Sequence, residues 1–469
     1  MLAQLQQHIR RPDLKFTKLS RRGRWTAFAS IIVVCIIVGV IVTEAVGPPP
    51  VTKYDPNLTQ AGYSLVAPLN SKNAYLVNNN GQVVHEWELN NYAGAVTKLL
   101  SNGLLLRTYQ GANNLSMGGR GGGIELVNWD GSVKWNYTYD DSDHEQHHDA
   151  IMMPNGDIMM LAWVKIPKAQ AIAAGVNPKN IDPKTNATWA DQVVEVNPSN
   201  NKIVWQWNVW DHLVQDYDST KPNYGSVADN PQRINANYYT YSQKPDWLHT
   251  NALSYNPQTN QVIISAREFN EFWVIDHSTT TAQAATSEGG NSGMGGDLLY
   301  RYGNPATYDQ GTAADRTLYL QHDVHWIQQG LTGAGNVLIF NNGDNTTGKR
   351  SYSSVLELKL PQTGYTYAKD STGAYAQPKV VWTYAPTGQQ EFFSNIMGAA
   401  QRLPNGNTLV TDATHGRAIE VTPDDKQVWV YTTPFYNTNL LDPTGPKTNQ
   451  VFRIYKYTPD YSGLDGHKL

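Results

Sequence analysis

Residues 124–161 hold IELVNWDGSVKWNY (124–137) and, ten residues on, HHDAIMMPNGDIMML (147–161). The first piece reads as two β-rich runs joined through Asp130-Gly131. The second reads as two apolar runs joined through Asn155-Gly156. Asp-Gly and Asn-Gly supply the positive φ that a two-residue hairpin turn needs, and the Val/Ile/Met/Trp runs are too short for helices. The unit is therefore a pair of hairpins separated by a loop.

The same unit recurs in both directions along the chain. Upstream it is AYLVNNNGQVVHEW (74–87) with KLLSNGLLL (98–106). Downstream it is VVEVNPSNNKIVWQW (193–207) with HTNALSYNPQTNQVIIS (249–265). A fourth copy runs through 272–280 and 297–303 to HDVHWIQQGLTGAGNVLIFNNG (322–343). A fifth joins SVLELKL (354–360) and KVVWTY (379–384) to GAAQRLPNGNTLVTD (398–412). A sixth joins RAIEVTPDDKQVWVY (417–431) to QVFRIYKYT (450–458). Six unevenly spaced copies predict an all-β, six-bladed β-propeller over 61–469. A β-sandwich pair or a parallel β-helix are the alternatives, and the latter would repeat at shorter, more regular intervals. Trp87, Trp135, Trp207, Trp382 and Trp429 are expected to be blade-packing residues. The stretches 164–190, 212–246, 281–321 and 361–378 read as insertions on one face, the first holding a short helix. The Gly/Ser-rich tract 281–296 reads as mobile.

The N-terminus is different. Arg10, Arg11, Lys15, Lys18, Arg21, Arg22 and Arg24 face one acid, Asp13. No residue from Trp25 to Thr43 is charged. As a helix that run would be about 28 Å long, close to the roughly 30 Å hydrocarbon core. The expected organisation is a basic cytoplasmic segment (1–24), a signal-anchor helix in the lipid bilayer (25–46), a linker (47–60) and the propeller. By the positive-inside rule the propeller is extracytoplasmic, so the protein is expected in the cell membrane as a single-pass chain. A cleaved signal peptide is the rival reading, and a buried core helix the third.

The 469 residues carry 36 Lys+Arg against 40 Asp+Glu, a net charge of −4. That balance argues against a nucleic-acid partner. The one Cys, Cys35, lies in the apolar run, which excludes a disulfide framework or a multi-cysteine metal site. Sequons at Asn57, Asn114, Asn136, Asn186 and Asn345 are sites open to glycosylation.

Histidines carry the candidate chemistry. His144, His147 and His148 cluster in DSDHEQHHDA, His249 stands in DWLHTNA, His322 and His325 in QHDVHW, and His415 in TDATHGRA. Several stand just before an apolar strand, so a repeat places their imidazoles at one height around the central channel. Three readings are open. His147, His148 and His322 could hold a metal. A histidine could be a nucleophile or acid–base. Each could simply bond a neighbouring blade. Arg267, Lys165, Arg301 and Arg350 would suit an oxyanion, and Asn251, Asn342 and Asn395 could orient it.

The segments DWLHTNALSY (246–255), VIISAREFNEFWVID (262–276), QHDVHW (321–326), GNVLIFNNG (335–343), RLPNGNTLVTD (402–412) and GRAIEV (416–421) resemble the arylsulfotransferase family over roughly residues 65–460. The resemblance implies a six-bladed extracytoplasmic propeller. It implies transfer of a sulfuryl group from an aryl sulfate to a phenolic acceptor through a sulfohistidine, with no nucleotide sulfate donor and no cofactor. It also implies that His249 and Arg267 bind the sulfuryl group, that His322 is a channel histidine and that Asn342 is a helper amide. The nucleophile is His415 or His322, with His415 preferred. A non-catalytic propeller, serving a membrane assembly or an oligomer through its helix or propeller face, is the alternative, as is a His-ligated metal-binding propeller.

Overall fold

The computed structural model describes residues 49–469 apart from 113, 114, 116, 240–242, 347–349, 387–391, 440, 441 and 443. The basic segment and the expected signal-anchor helix therefore lie outside the described residues, as does the sequon Asn114. Among the described residues no helix is long and apolar enough to cross a membrane.

Six antiparallel sheets make six blades. Blade 1 runs outward through Ala93–Leu99, Leu105–Gln110, Gly122–Val127 and Val133–Thr138. Blade 2 has His144–Met152, Ile158–Pro167, Ala187–Asn197 and Lys202–Asn208. Blade 3 has Thr250–Asn256, Gln261–Ala266, Glu271–Asp276 and Tyr300–Tyr302. Blade 4 has His322–Trp326, Val337–Asn341, Ser354–Lys359 and Lys379–Tyr384. Blade 5 has Ala399–Arg402, Thr408–Asp412, Arg417–Val421 and Gln427–Thr432.

Blade 6 closes the ring. Its inner strand, Val451–Tyr457, comes from the C-terminal part of the chain and pairs with Tyr63–Pro68, followed by Asn73–Asn78 and Val83–Glu88. The sequence repeat had the right number but a shifted phase. Each copy joins the outer hairpin of one blade to the inner hairpin of the next, because hairpin turns are visible in sequence and radial position is not. The linker expected over 47–60 also ends early. Val51–Tyr54 pairs with Gln427–Thr432 and covers the outer edge of blade 5. Covering an edge strand satisfies its open N–H and C=O groups.

Each seam between neighbouring blades holds an apolar core. Leu106, Ile124, Ala150 and Met160 fill the seam of blades 1 and 2. Leu65, Leu76, Leu99 and Leu105 fill the closing seam of blades 6 and 1. The tryptophans add a repeated clip. Nε1 of Trp135, Trp382 and Trp429, all on outer strands, donates to Asn201, Asp425 and the Asn79 carbonyl at 2.8, 3.0 and 2.8 Å. Each acceptor sits in the outer hairpin turn of the next blade.

The insertions depart from expectation. Strand direction places 164–190, 212–246 and 303–321 at the end where inner strands begin. The 281–299 and 361–378 stretches leave from hairpins at the opposite end. The first insertion does hold a helix, Lys168–Ala173. The tract expected to be mobile is ordered instead: Thr281–Ala284 is capped by Thr280 and Gln283, and the Gly296 carbonyl accepts from Trp207 Nε1 at 2.7 Å.

Candidate active site

Inner strands of a propeller begin at one mouth of the axial channel, and here that mouth carries the histidines. His148 lies in the inner strand of blade 2, His249 directly precedes that of blade 3, and His322 starts that of blade 4. His148, His249, Leu320, Asp323 and Met397 have φ between 48° and 59°. Left-handed backbone is costly at non-glycine residues, and such positions concentrate at functional sites. Here it turns the chain abruptly into the inner strand and aims side chains across the channel.

His322 is buried. Its Nδ1 lies 3.0 Å from the Leu320 carbonyl and 2.8 Å from Oδ1 of Asn342. Both partners only accept, so Nδ1 carries the proton and Nε2 keeps a lone pair. The Met397 N–H approaches that Nε2 at 3.3 Å. Asn342 is fixed in turn, its Nδ2 donating to the carbonyls of Ser394 and Met397 at 2.7 and 2.5 Å. Burial first, and the Arg267 guanidinium next, hold the His322 imidazole well below its ordinary pKa of 6.5.

His249 is oriented by a carboxylate, with Nδ1 2.5 Å from Oδ2 of Asp246. Its ring meets that of His148 edge to face at 4.6 Å. His148 is buried and is likewise held far below 6.5, by burial first and then by His249 and His147. His147 backs it: the two Nδ1 atoms are 2.8 Å apart and share one proton. Nε2 of His147 lies 3.0 Å from Oδ1 of Asp191, and its ring stacks on Trp163. Gly118 lies over His249 and Gly119 over His148. A Cβ on Gly119 would stand 1.9 Å from the His148 ring, so only glycine fits there. Arg267 follows the second strand of blade 3, with its backbone N–H toward the His249 carbonyl and its guanidinium on Glu268.

An ionic layer lies beneath the histidines. Arg453, on the inner strand of blade 6, reaches Asp149 of blade 2 at 2.8 Å and Asp323 of blade 4 at 3.1 Å. The two aspartates occupy equivalent places in HHDA and QHDV. Each accepts the inner-strand N–H of the following blade, Asp149 from Leu253 and Asp323 from Ala400.

The structure thus brings His249, His322, Arg267 and Asn342 together and adds His148. It does not bring His415 into that group. His415 sits on the turn between the second and third strands of blade 5, its side chain 52% exposed and its Nδ1 on Asp412 at 2.9 Å. Its neighbour Thr414 donates its N–H to Ser394 Oγ, and the Ser394 carbonyl accepts from Asn342 Nδ2, the partner of His322. The Asp-x-x-His pairing that could mark it as special also occurs at Asp141–His144 and Asp246–His249, so it is a local turn device.

The metal triad expected of His147, His148 and His322 is not formed: among the described residues no group of three or more His, Cys, Asp or Glu is placed to hold an ion. The facing nitrogens of His147 and His148 are spent on each other. Arg301 is buried against Glu271 within blade 3, Lys165 pairs with Asp143, and Arg350 stacks over Tyr319 and Tyr352. Asn251 is buried near the ionic layer, its carbonyl accepting from Arg453 at 3.1 Å. Asp246 and Arg453 were missed in the sequence. The first could have been found from its spacing to His249, whereas the second has no local signal because its partners are some 130 and 300 residues away.

Solved structures similar to this one include a protein of unknown function from Bacteroides caccae, at 12% identity and TM-score 0.42, covering 80% of this chain and 94% of that one. Virginiamycin B lyase from Staphylococcus aureus is similar at 11% identity and TM-score 0.38, covering 82% and 87%. A putative 6-phosphogluconolactonase from Bacteroides fragilis is similar at 12% identity and TM-score 0.38, covering 81% and 97%. At these scores the likenesses say nothing of this chain's chemistry. No curated protein sequence matches the chain. The family comparison does: residues 51–438 match arylsulfotransferase (ASST), which takes in blades 1 to 5, the three outer strands of blade 6 and every histidine of the mouth, so the chain belongs to the arylsulfotransferase family.

Proposed function

We propose that the protein transfers a sulfuryl group from an aryl sulfate ester to a phenolic acceptor, with His322 as the nucleophile. The observation that carries this reading is the His322–Asn342 bond, which puts the proton of a neutral, buried imidazole on Nδ1 and leaves the lone pair on Nε2, where it gives up only the Met397 N–H at 3.3 Å to attack sulfur. In the first half-reaction Nε2 forms a bond to sulfur and the ester S–O bond breaks. The departing phenolate takes a proton from Nε2 of His249, whose imidazolium is paired to Asp246. Arg267 offsets the negative charge on the sulfuryl oxygens. In the second half the neutral His249 takes the proton of the next phenol, whose oxygen attacks sulfur and frees His322. His148, kept neutral, stands at the same mouth against the His249 ring.

Incubating the protein with an aryl sulfate and mapping the modified peptide tests this. One SO₃ group on His322, with one phenol released and no label in His322→Ala, is expected, whereas His415→Ala still labels. Label on His415, or none with any aryl sulfate, rejects the assignment, and the latter favours a non-catalytic module.

We further propose that residues 25–46 anchor the chain in a membrane with the propeller outside the cytoplasm, supported by the uncharged run and its one-sided positive flank. Retention in the membrane fraction after alkaline washing, with the propeller accessible only from outside, is the expected result.

A further inference from the structure

The channel has a second mouth. All six inner strands end there, around a cavity of about 640 Å³. The Asp149–Arg453–Asp323 layer separates it from the histidines. That volume falls in the range of small-molecule sites, roughly 300–1,000 Å³.

The lining is mostly closed by its own pairings. Among its cations, Arg402 sits on Glu357 at 2.6 Å, Lys456 on Glu420 at 2.8 Å and Arg453 on Asp149 at 2.8 Å. Lys98 is different. Its ammonium is 3.7 Å from Asp149, beyond hydrogen-bond reach, and 22% of its side chain is exposed into the cavity. An ammonium has three donors to place. Burial opposes its charge, but Asp149 and Tyr455 outweigh burial and keep it protonated.

Two further groups are open. His325 gives its Nδ1 proton to the Asp323 carbonyl at 2.8 Å, which leaves Nε2 as an acceptor facing the cavity. Trp326 Nε1 is buried and has no partner among the described residues. Of the tyrosine hydroxyls of the wall, Tyr461 donates to the Leu99 carbonyl, Tyr255 donates to Asn260, Tyr457 accepts from the Leu99 N–H and Tyr455 accepts from Arg453. Tyr255, Trp326, Tyr455, Tyr457 and Tyr461 line the cavity together. A flat ring fits such walls, and one anionic oxygen fits the ammonium.

We propose that this second mouth is a separate binding site for a small aromatic carboxylate, with Lys98 as its anion contact. Such binding is independent of sulfuryl transfer, so the proposed reaction and this site stand or fall separately.

Calorimetric titration of the full chain with 2-naphthoate tests it, since that probe has no hydroxyl to accept a sulfuryl group. One molecule should bind per chain. Lys98→Met and the uncharged probe 2-naphthamide should each weaken binding by about tenfold or more, the loss of one charge-assisted contact. Lys98→Arg should retain binding, and His322→Asn should leave it unchanged. The comparison of the two probes on the unaltered protein stands even if Lys98→Met fails to fold. Absence of saturable binding, indifference to the charge of the probe, or dependence on His322 instead of Lys98 overturns the proposal.

Discussion

Oδ1 of Asn342 stands 2.8 Å from Nδ1 of His322, and with the Leu320 carbonyl at 3.0 Å it keeps the imidazole proton on Nδ1 and the lone pair on Nε2. Asn342 cannot turn over to offer its amide instead, because Nδ2 is held by two carbonyls, those of Ser394 and Met397.

Asn342→Ala should therefore slow phenol release while the protein still binds aryl sulfate. The Leu320 carbonyl remains as a second acceptor for Nδ1, so the loss is partial. Removing one orienting hydrogen bond of about 1–2 kcal/mol predicts a fall in kcat of about 5- to 30-fold. Steady-state kinetics beside His322→Ala, expected to be inactive, check it. An unchanged kcat would remove Asn342 from the machinery.

The pH dependence follows from burial. His322 gains no proton at neutral pH, because burial and Arg267 push its pKa well below 6.5. The rate of His322 labelling should stay level as pH falls through 6.5 and decline only well below it. Replacing Arg267 with Met removes the largest depressing influence after burial, so the acidic limb should move upward. Rapid-quench labelling across pH measures both. A limb already present at 6.5 in the unaltered protein contradicts the buried, neutral nucleophile.

Arg453 predicts stability rather than rate. It holds two buried carboxylates from two other blades, the second and the fourth. Arg453→Met leaves Asp323 without its cation and Asp149 with only Lys98 at 3.7 Å, and should cost about 3–5 kcal/mol. Making Asp149→Asn and Asp323→Asn in the same chain should recover part of that loss, since the stranded charges are gone. Denaturant unfolding of the single and triple variants tests the order.

The six-fold repeat was legible because hairpin turns and β-rich runs are local. The start of each inner strand was legible too, and His249, Arg267, His322 and Asn342, which the family resemblance singled out, stand together at that mouth. What escaped was radial. Nothing near His415 in the sequence tells that it rides on the second-to-third strand turn, one layer out from the channel, and its Asp-x-x-His spacing is shared with His249. Arg453 escaped for the same reason, since its role exists only once the last inner strand closes the ring. The insertions misled because strand direction, not composition, sets the end at which each emerges.

Glu145 gives the sharpest pH test of the fold around the site. It lies two residues before His147 and is 1% exposed, and neither carboxyl oxygen has a hydrogen-bond partner among the described residues. Burial first, then the neighbouring Asp140, push its pKa from 4.5 to about 8, with Arg120 opposing. The folded pKa is raised, so the sign is fixed. Below pH 4.5 the carboxyl is protonated folded and unfolded alike, and the stability that neutral Glu145 contributes is fully present. As pH rises the unfolded chain ionises and the folded one does not, and stability falls by about 1.4 kcal/mol per unit. Above about 8 the folded carboxyl ionises as well, and the loss levels off. Glu145→Gln keeps the shape and cannot ionise. Its unfolding free energy should exceed that of the unaltered protein by a margin that widens from pH 5 to 8 and is constant beyond. A margin that does not change with pH would mean that Glu145 ionises normally in the folded chain, through a partner that its buried position at the mouth does not reveal.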